Sequence, residues 1–116
     1  MDEAGAGVVG NLFADLIGLR FSAAAEGQTE CRLNITPSLL NPNGVVHGAV
    51  VYALADTGMG GALVSALEAG HACATVEIKM SYLRAATAGE LTCTARVLQK
   101  GRRIAGVRHR DAGIGL

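Results

Sequence analysis

The run Asn41-Pro42-Asn43-Gly44-Val45-Val46-His47-Gly48 passes from a polar turn into an apolar stretch whose one acid is Asp56. Asn, Pro and Gly together specify a turn. The residues that follow suit the start of a helix. Backbone N–H groups at a helix start lack intrahelical partners and sit at the positive end of the helix dipole. They can stabilise a carbonyl oxygen that gains negative charge. A lone carboxylate on an apolar helix sits in low-dielectric surroundings, which alter its pKa and its reactivity. An electrophile-activating helix start plus one acid is the equipment of acyl transfer.

His47 and Asp56 are nine residues apart. On a helix that is about 900° of rotation and roughly 13 Å of rise, so the two side chains leave from opposite sides. They do not easily meet on one substrate within one chain. If both serve one site, that site combines the turn of one subunit with the acid of another. The spacing therefore predicts an oligomer as well as a chemistry.

These residues need elements to position them. Val8, Val9, Leu12, Phe13, Leu16 and Ile17 have helical spacing, which predicts a short amphipathic helix over 8–17. A strand is expected over 18–25. Residues 30–36 alternate, with Cys31, Leu33 and Ile35 on one face, as in a half-buried strand. Residues 37–44 read as loop, and His47 to Glu68 as a long central helix closed by Gly70. Residues 74–83 alternate clearly, with Val76, Ile78, Met80 and Tyr82 on one face. A turn near Ala88-Gly89 leads to a strand at 91–98. Lys100-Gly101 signals a hairpin into a weaker strand at 102–109. This order predicts an α+β fold, an antiparallel sheet wrapped around the long helix. Residues 1–116 read as one domain.

This order, with Asn41…Gly44…His47-Gly48…Asp56, resembles the hotdog-fold acyl-CoA thioesterases, in particular their phenylacetate-pathway branch of PaaI type. Support comes from residues 74–83 and from Gly89-Glu90-Leu91. The resemblance covers roughly residues 8–105 and implies roles. The acid matching Asp56 acts as nucleophile or general base on a thioester carbonyl, and it comes from the neighbouring subunit. The N–H of the residue matching Gly48 stands in the oxyanion-hole position. Residues matching Asn41 and His47 orient the carbonyl or the attacking water. The hydroxyl matching Thr75 helps to place that water or the acid. The implied substrate is an acyl-CoA with a small aromatic or medium-chain acyl group, and the implied assembly is a homodimer or homotetramer. No cofactor or metal is implied. The family often has a second Gly where Ala49 stands. Residues 106–116 lose apolar alternation, where family members continue through a full last strand pair, so a shortened sheet edge is expected.

Each candidate also has a plainer reading. Asp56 could pair with a structural base, His47 could cap the helix, Asn41 could make the turn, Gly48 could serve close packing and Thr75 could be an ordinary strand residue. Two other functions stay open on this fold. A dehydratase or hydratase is one, although neither a His-Phe-Pro run nor an Asp-x-Asn-Pro-x-His run occurs. A non-catalytic acyl-CoA-binding protein is the other.

Composition narrows the partners. The formal charge is zero but uneven: residues 96–110 hold Arg96, Lys100, Arg102, Arg103, Arg108 and Arg110 and no acid. Such a run is either a solvated strand pair that discourages edge aggregation or a rim for the phosphates of a nucleotide-tailed substrate, with Arg102 and Arg103 as the expected contacts. With no Trp, two Phe and two Tyr there is no stacking platform for nucleic acid. Cys31, Cys73 and Cys93 lack zinc-site spacing and read as buried residues in a reducing cytoplasm. The start Met1-Asp2-Glu3 lacks the basic opening of a signal peptide. The apolar run from Gly44 to Leu67 would place Asp56 in mid-membrane at about 2.5–3.5 kcal/mol, so a buried central helix is expected and no membrane partner.

Overall fold

The computed structural model describes residues 11–68, 70–74, 77 and 86–113. Helix α1 spans Leu12–Ile17 and is capped at both ends. The Asn11 side chain accepts from the Ala14 N–H at 3.0 Å. Gly18 then closes the helix at φ +79°, a conformation that favours glycine. Residues 8–10 of the expected helix lie outside the described residues. The amphipathic expectation holds only in part. Ala14 is buried and Ile17 packs on the core, while Leu12, Phe13 and Leu16 are exposed.

Among the described residues four strands follow the predicted pattern: β1 Leu19–Ala25, β2 Gln28–Asn34, β3 Glu90–Lys100 and β4 Ala105–Gly113. They form an antiparallel sheet in the order β1-β2-β3-β4. Residues of alternate parity face the core: Cys31 and Leu33 on β2 lie opposite Cys93 and Leu91 on β3, and all four are buried. On the other face Arg32 forms ion pairs with Glu90 at 2.6 Å and Glu30 at 3.2 Å, and Arg20 pairs with Glu90 at 2.6 Å. Strand β4 reaches Gly113 and pairs with β3 along its length. It starts and ends later than the alternation predicts. Cross-strand backbone bonds to a well-formed β3 fix its pairing, and they do not require apolar side chains. The expected strand at 74–83 lies outside the described residues apart from Ala74 and Glu77.

Helix α2, Gly48–Ser65, lies against the core face of the sheet. It buries Val50, Ala53, Leu54, Ala55, Gly58 and Ala62, a broad face as expected of a central helix. Close approach explains two of the helix glycines, Gly58 and Gly61, but not Gly60, where a Cβ would meet nothing within 4 Å. A Cβ on Gly58 would lie 3.1 Å from Cys93 Sγ, and one on Gly61 would lie 2.6 Å from the Phe21 ring. The Gly58 carbonyl also accepts from the buried Thr29 hydroxyl at 2.6 Å. The helix stops at Ser65, short of the predicted Glu68, and Gly70 does not close it. Side chains finish it instead. The Ser65 hydroxyl lies 2.7 Å from the Ala62 carbonyl and accepts from Gly27 N–H at 2.9 Å, and Lys100 Nζ donates to the Ala66 carbonyl at 2.7 Å.

Candidate active site

The turn before α2 is built by its own side chains. Asn41 Oδ1 accepts from Asn43 N–H at 2.9 Å and from Val45 N–H at 3.3 Å. Gly44 sits at φ +80°, which only glycine adopts readily. Asn41 N–H donates to the Val45 carbonyl at 2.7 Å, and Leu40 and Val46 form a β-bridge. The turn is then fixed to the rest of the fold. Val46 N–H donates to the Ala86 carbonyl at 2.8 Å and His47 N–H to the Leu39 carbonyl at 2.9 Å. The Asn41 side-chain oxygen thus shapes the turn.

His47 is the N-cap of α2. Its Nδ1 accepts from Ala49 N–H at 2.9 Å. A ring nitrogen that accepts carries no proton, so in the neutral ring the proton is on Nε2. That N–H belongs to an exposed side chain and is a donor. In this tautomer His47 can polarise or orient an oxygen rather than take a proton from it. Gly48 is the first residue of the helix, half-buried, and no acid occupies the first turn. No carboxylate of the helix itself competes for its positive end.

Asp56 lies in a different place. It is half-buried on α2 and lines a cleft of about 570 Å³ between the second half of the helix and the β3–β4 hairpin. Met59, Leu63 and Leu67 give this cleft an apolar wall, and Arg102 and Arg103 stand at the hairpin turn that borders it. Asn41, His47 and Gly48 do not line it. One chain therefore brings Asp56 together with Arg102 and Arg103, and it keeps the helix-start group apart. Thr75 lies outside the described residues.

The structure corrects two expectations. Cys73 is exposed and lines the cleft, whereas Cys31 and Cys93 are buried as expected. Cys73 lies after the helix in a stretch with no regular structure, at the wall of the cleft. Desolvation against the cleft wall and then the Asp56 carboxylate push its thiol up, so it is a poor nucleophile. The bases of 96–110 whose side chains are described also do not form one rim. Lys100, Arg102 and Arg103 border the Asp56 cleft, while Arg96 and Arg108 line a groove on the opposite side of the sheet. Sequence reasoning gave His71 no role, yet it lines the Asp56 cleft with Cys73 and Glu77. Its only signal was nearness to the end of the helix.

Comparison with known proteins identifies the family and the fold. The profile of the thioesterase superfamily matches residues 43–110, which hold the helix start, Asp56 and the hairpin. A conserved protein of Pseudomonas aeruginosa is 35% identical, with a TM-score of 0.86 over 90% of this chain and 83% of its own. A thioesterase of Haemophilus influenzae is 28% identical, with a TM-score of 0.84 over 90% of this chain and 73% of its own. An Asn-to-Asp variant of the phenylacetic acid degradation protein PaaI from Thermus thermophilus is 27% identical, with a TM-score of 0.81 over 91% of this chain and 90% of its own. Among curated sequences, a Deinococcus radiodurans protein named provisionally as an esterase is 34% identical across 80% of this chain and 62% of its own. The chain spans about three fifths of the length of the curated relatives it matches.

Proposed function

The chain belongs to the thioesterase superfamily and has its hotdog architecture, and from that premise we propose that it hydrolyses an acyl-CoA thioester to the free acid and CoA. The observation that carries this reading is the separation of two half-sites. Asp56 opens into a cleft with an apolar wall, and the Asn41–Gly48 turn lies outside that cleft on the same helix. In our reading two chains pair so that the helix start of one faces the Asp56 cleft of the other. The Gly48 N–H then meets the thioester carbonyl oxygen as negative charge develops on it. His47 donates through Nε2 to that oxygen or to the water. Either Asp56 takes the proton from a water that attacks the carbonyl, or it attacks the carbonyl itself to form an anhydride that water then hydrolyses; in both routes the C–S bond breaks, the CoA thiolate leaves and water supplies the new oxygen of the acid. Arg102 and Arg103 hold the phosphates of CoA at the cleft mouth, where planar guanidiniums suit phosphate oxygens. Thr75 assists in placing the water. The apolar wall from Met59 to Leu67 favours a small aromatic or medium-chain acyl group. The working unit is a homodimer or homotetramer in the cytoplasm, where the facing thiols of Cys31 and Cys93 stay unbridged.

A panel of acyl-CoAs tests the reading, with free thiol followed throughout. Thiol release that tracks acyl size supports hydrolysis. Hydration of an enoyl substrate without thiol release would replace it by a hydratase, and tight binding with neither would leave a carrier or regulator.

A further inference from the structure

Arg96 on β3 and Arg108 on β4 are directly opposed in the antiparallel register, and Gln28 on β2 is directly opposed to Arg96. The three form one row across the sheet, on the face away from α2, and all three are exposed. Opposed residues of an antiparallel pair have Cβ atoms about 5 Å apart, and like charges placed so are destabilising. Other arginines on this face, among the described side chains, have carboxylate partners. Arg20 and Arg32 are paired with Glu30 and Glu90. Among the described residues neither Arg96 nor Arg108 has a carboxylate within ion-pair reach. Glu30 borders the same groove, but its Oε1 already accepts from the Ser22 hydroxyl at 2.7 Å and from Arg32. The groove has a volume of about 450 Å³, and Ala23, Ala24 and Ala25 form its far side.

We propose that the Gln28–Arg96–Arg108 row binds the phosphate group of an organic phosphate monoester, whose body lies along the alanines of β1. Two guanidinium forks side by side can be bridged by one dianion with three equivalent oxygens. A carboxylate, with one charge and two oxygens, satisfies one fork and leaves the other repelled. The groove is larger than a phosphate ion, and its apolar side gives an organic body something to cover. This site is separated from Asp56 by the sheet and does not depend on the reading of that cleft.

Titration of the intact protein with phenyl phosphate, inorganic phosphate and benzoate tests it, followed by backbone amide shifts. Phenyl phosphate should bind saturably, more tightly than inorganic phosphate and at least about tenfold more tightly than benzoate. Shifts should cluster at residues 28, 94–96 and 106–108. R96Q and R108Q should each weaken phenyl phosphate about ten- to hundredfold, the range of a hydrogen bond to a charged group. Without phosphate, the melting temperature of R108Q should equal or exceed that of the parent, because a repulsion is removed. Equal binding of benzoate and phenyl phosphate, shifts confined to residues 100–104, or unchanged binding in both variants would overturn the proposal. A lower melting temperature for R108Q would do so too, by making Arg108 a structural residue. Tighter binding of inorganic phosphate than of phenyl phosphate would overturn the organic body.

Discussion

Asp56 and His47 show how residue chemistry follows from immediate neighbours. The cap bond from Ala49 N–H fixes His47 as an Nε2 donor. In the proposed reaction that leaves Asp56 to handle the proton or to attack. D56N keeps size and packing and removes the basic lone pair. We expect kcat for thioester hydrolysis to fall at least about 10²-fold with little change in KM, as for an interaction used mainly in the transition state. Near-normal kcat in D56N would end its catalytic assignment. Arg102 and Arg103 give a second test at this scale. Reversing both charges should raise KM for acyl-CoA more than for a short thioester without the nucleotide. Equal changes on the two substrates would make these arginines a solvated turn.

Two elements, helix α2 and the sheet beneath it, touch so closely that one position controls their spacing. The Cβ of G58V would lie 3.1 Å from Cys93 Sγ and 3.5 Å from Cys31 Sγ, and both of these thiols are buried. The further methyls need space that a packed core does not have. We expect a loss of about 1–3 kcal/mol, read as a lower urea midpoint. An unchanged midpoint would mean that helix and sheet move apart freely. On the outer face of the sheet, Arg32 and Arg20 hold the Glu90 carboxyl below its usual value of 4.5. Ser22, followed by Arg32, does the same for Glu30. A lowered carboxylate adds stability above its unfolded pKa and loses it as pH falls through the folded pKa. The melting temperature should therefore fall on acidification below about pH 4.5, and E90Q should flatten that slope. An identical slope in E90Q would assign the acid sensitivity to other groups.

At the scale of the whole molecule, the proposed mechanism requires the two half-sites of one chain to meet their complements on another. The exposed Leu12, Phe13 and Leu16 of α1 and the exposed Tyr52 of α2 leave apolar surface uncovered on a single chain. In a shared site, D56N and G48V chains lose activity for different reasons. A mixed dimer has one site with both lesions and one with neither. About half of the wild-type activity per mixed dimer should then return from two inactive parents. Confirmed subunit exchange with no recovery would refute the shared site. A stable, active monomer at micromolar concentration, seen by sedimentation, would refute it independently.

The period-2 alternation of 30–36 and 91–98 was sufficient to place two strands and to name Cys31, Leu33, Leu91 and Cys93 as core, because a strand facing one core must alternate. The turn at Asn41–Gly44 and the start of α2 were also legible, since Gly and a capping side chain act on their own backbone. The nine-residue separation predicted that His47 and Asp56 stay apart, and His47 does not line the Asp56 cleft. Contacts between segments distant in sequence were not legible. The end of α2 depends on Ser65 meeting Gly27 and on Lys100 reaching Ala66, and neither meeting leaves a local pattern. The extent of β4 depends on its ladder with β3, which backbone groups form whatever the side chains. The basic run of 96–110 looked uniform because a sequence does not show sides. Only the pairing of β3 with β4 and the turn between them sent Arg102 and Arg103 to the Asp56 cleft, and Arg96 and Arg108 to the far face of the sheet.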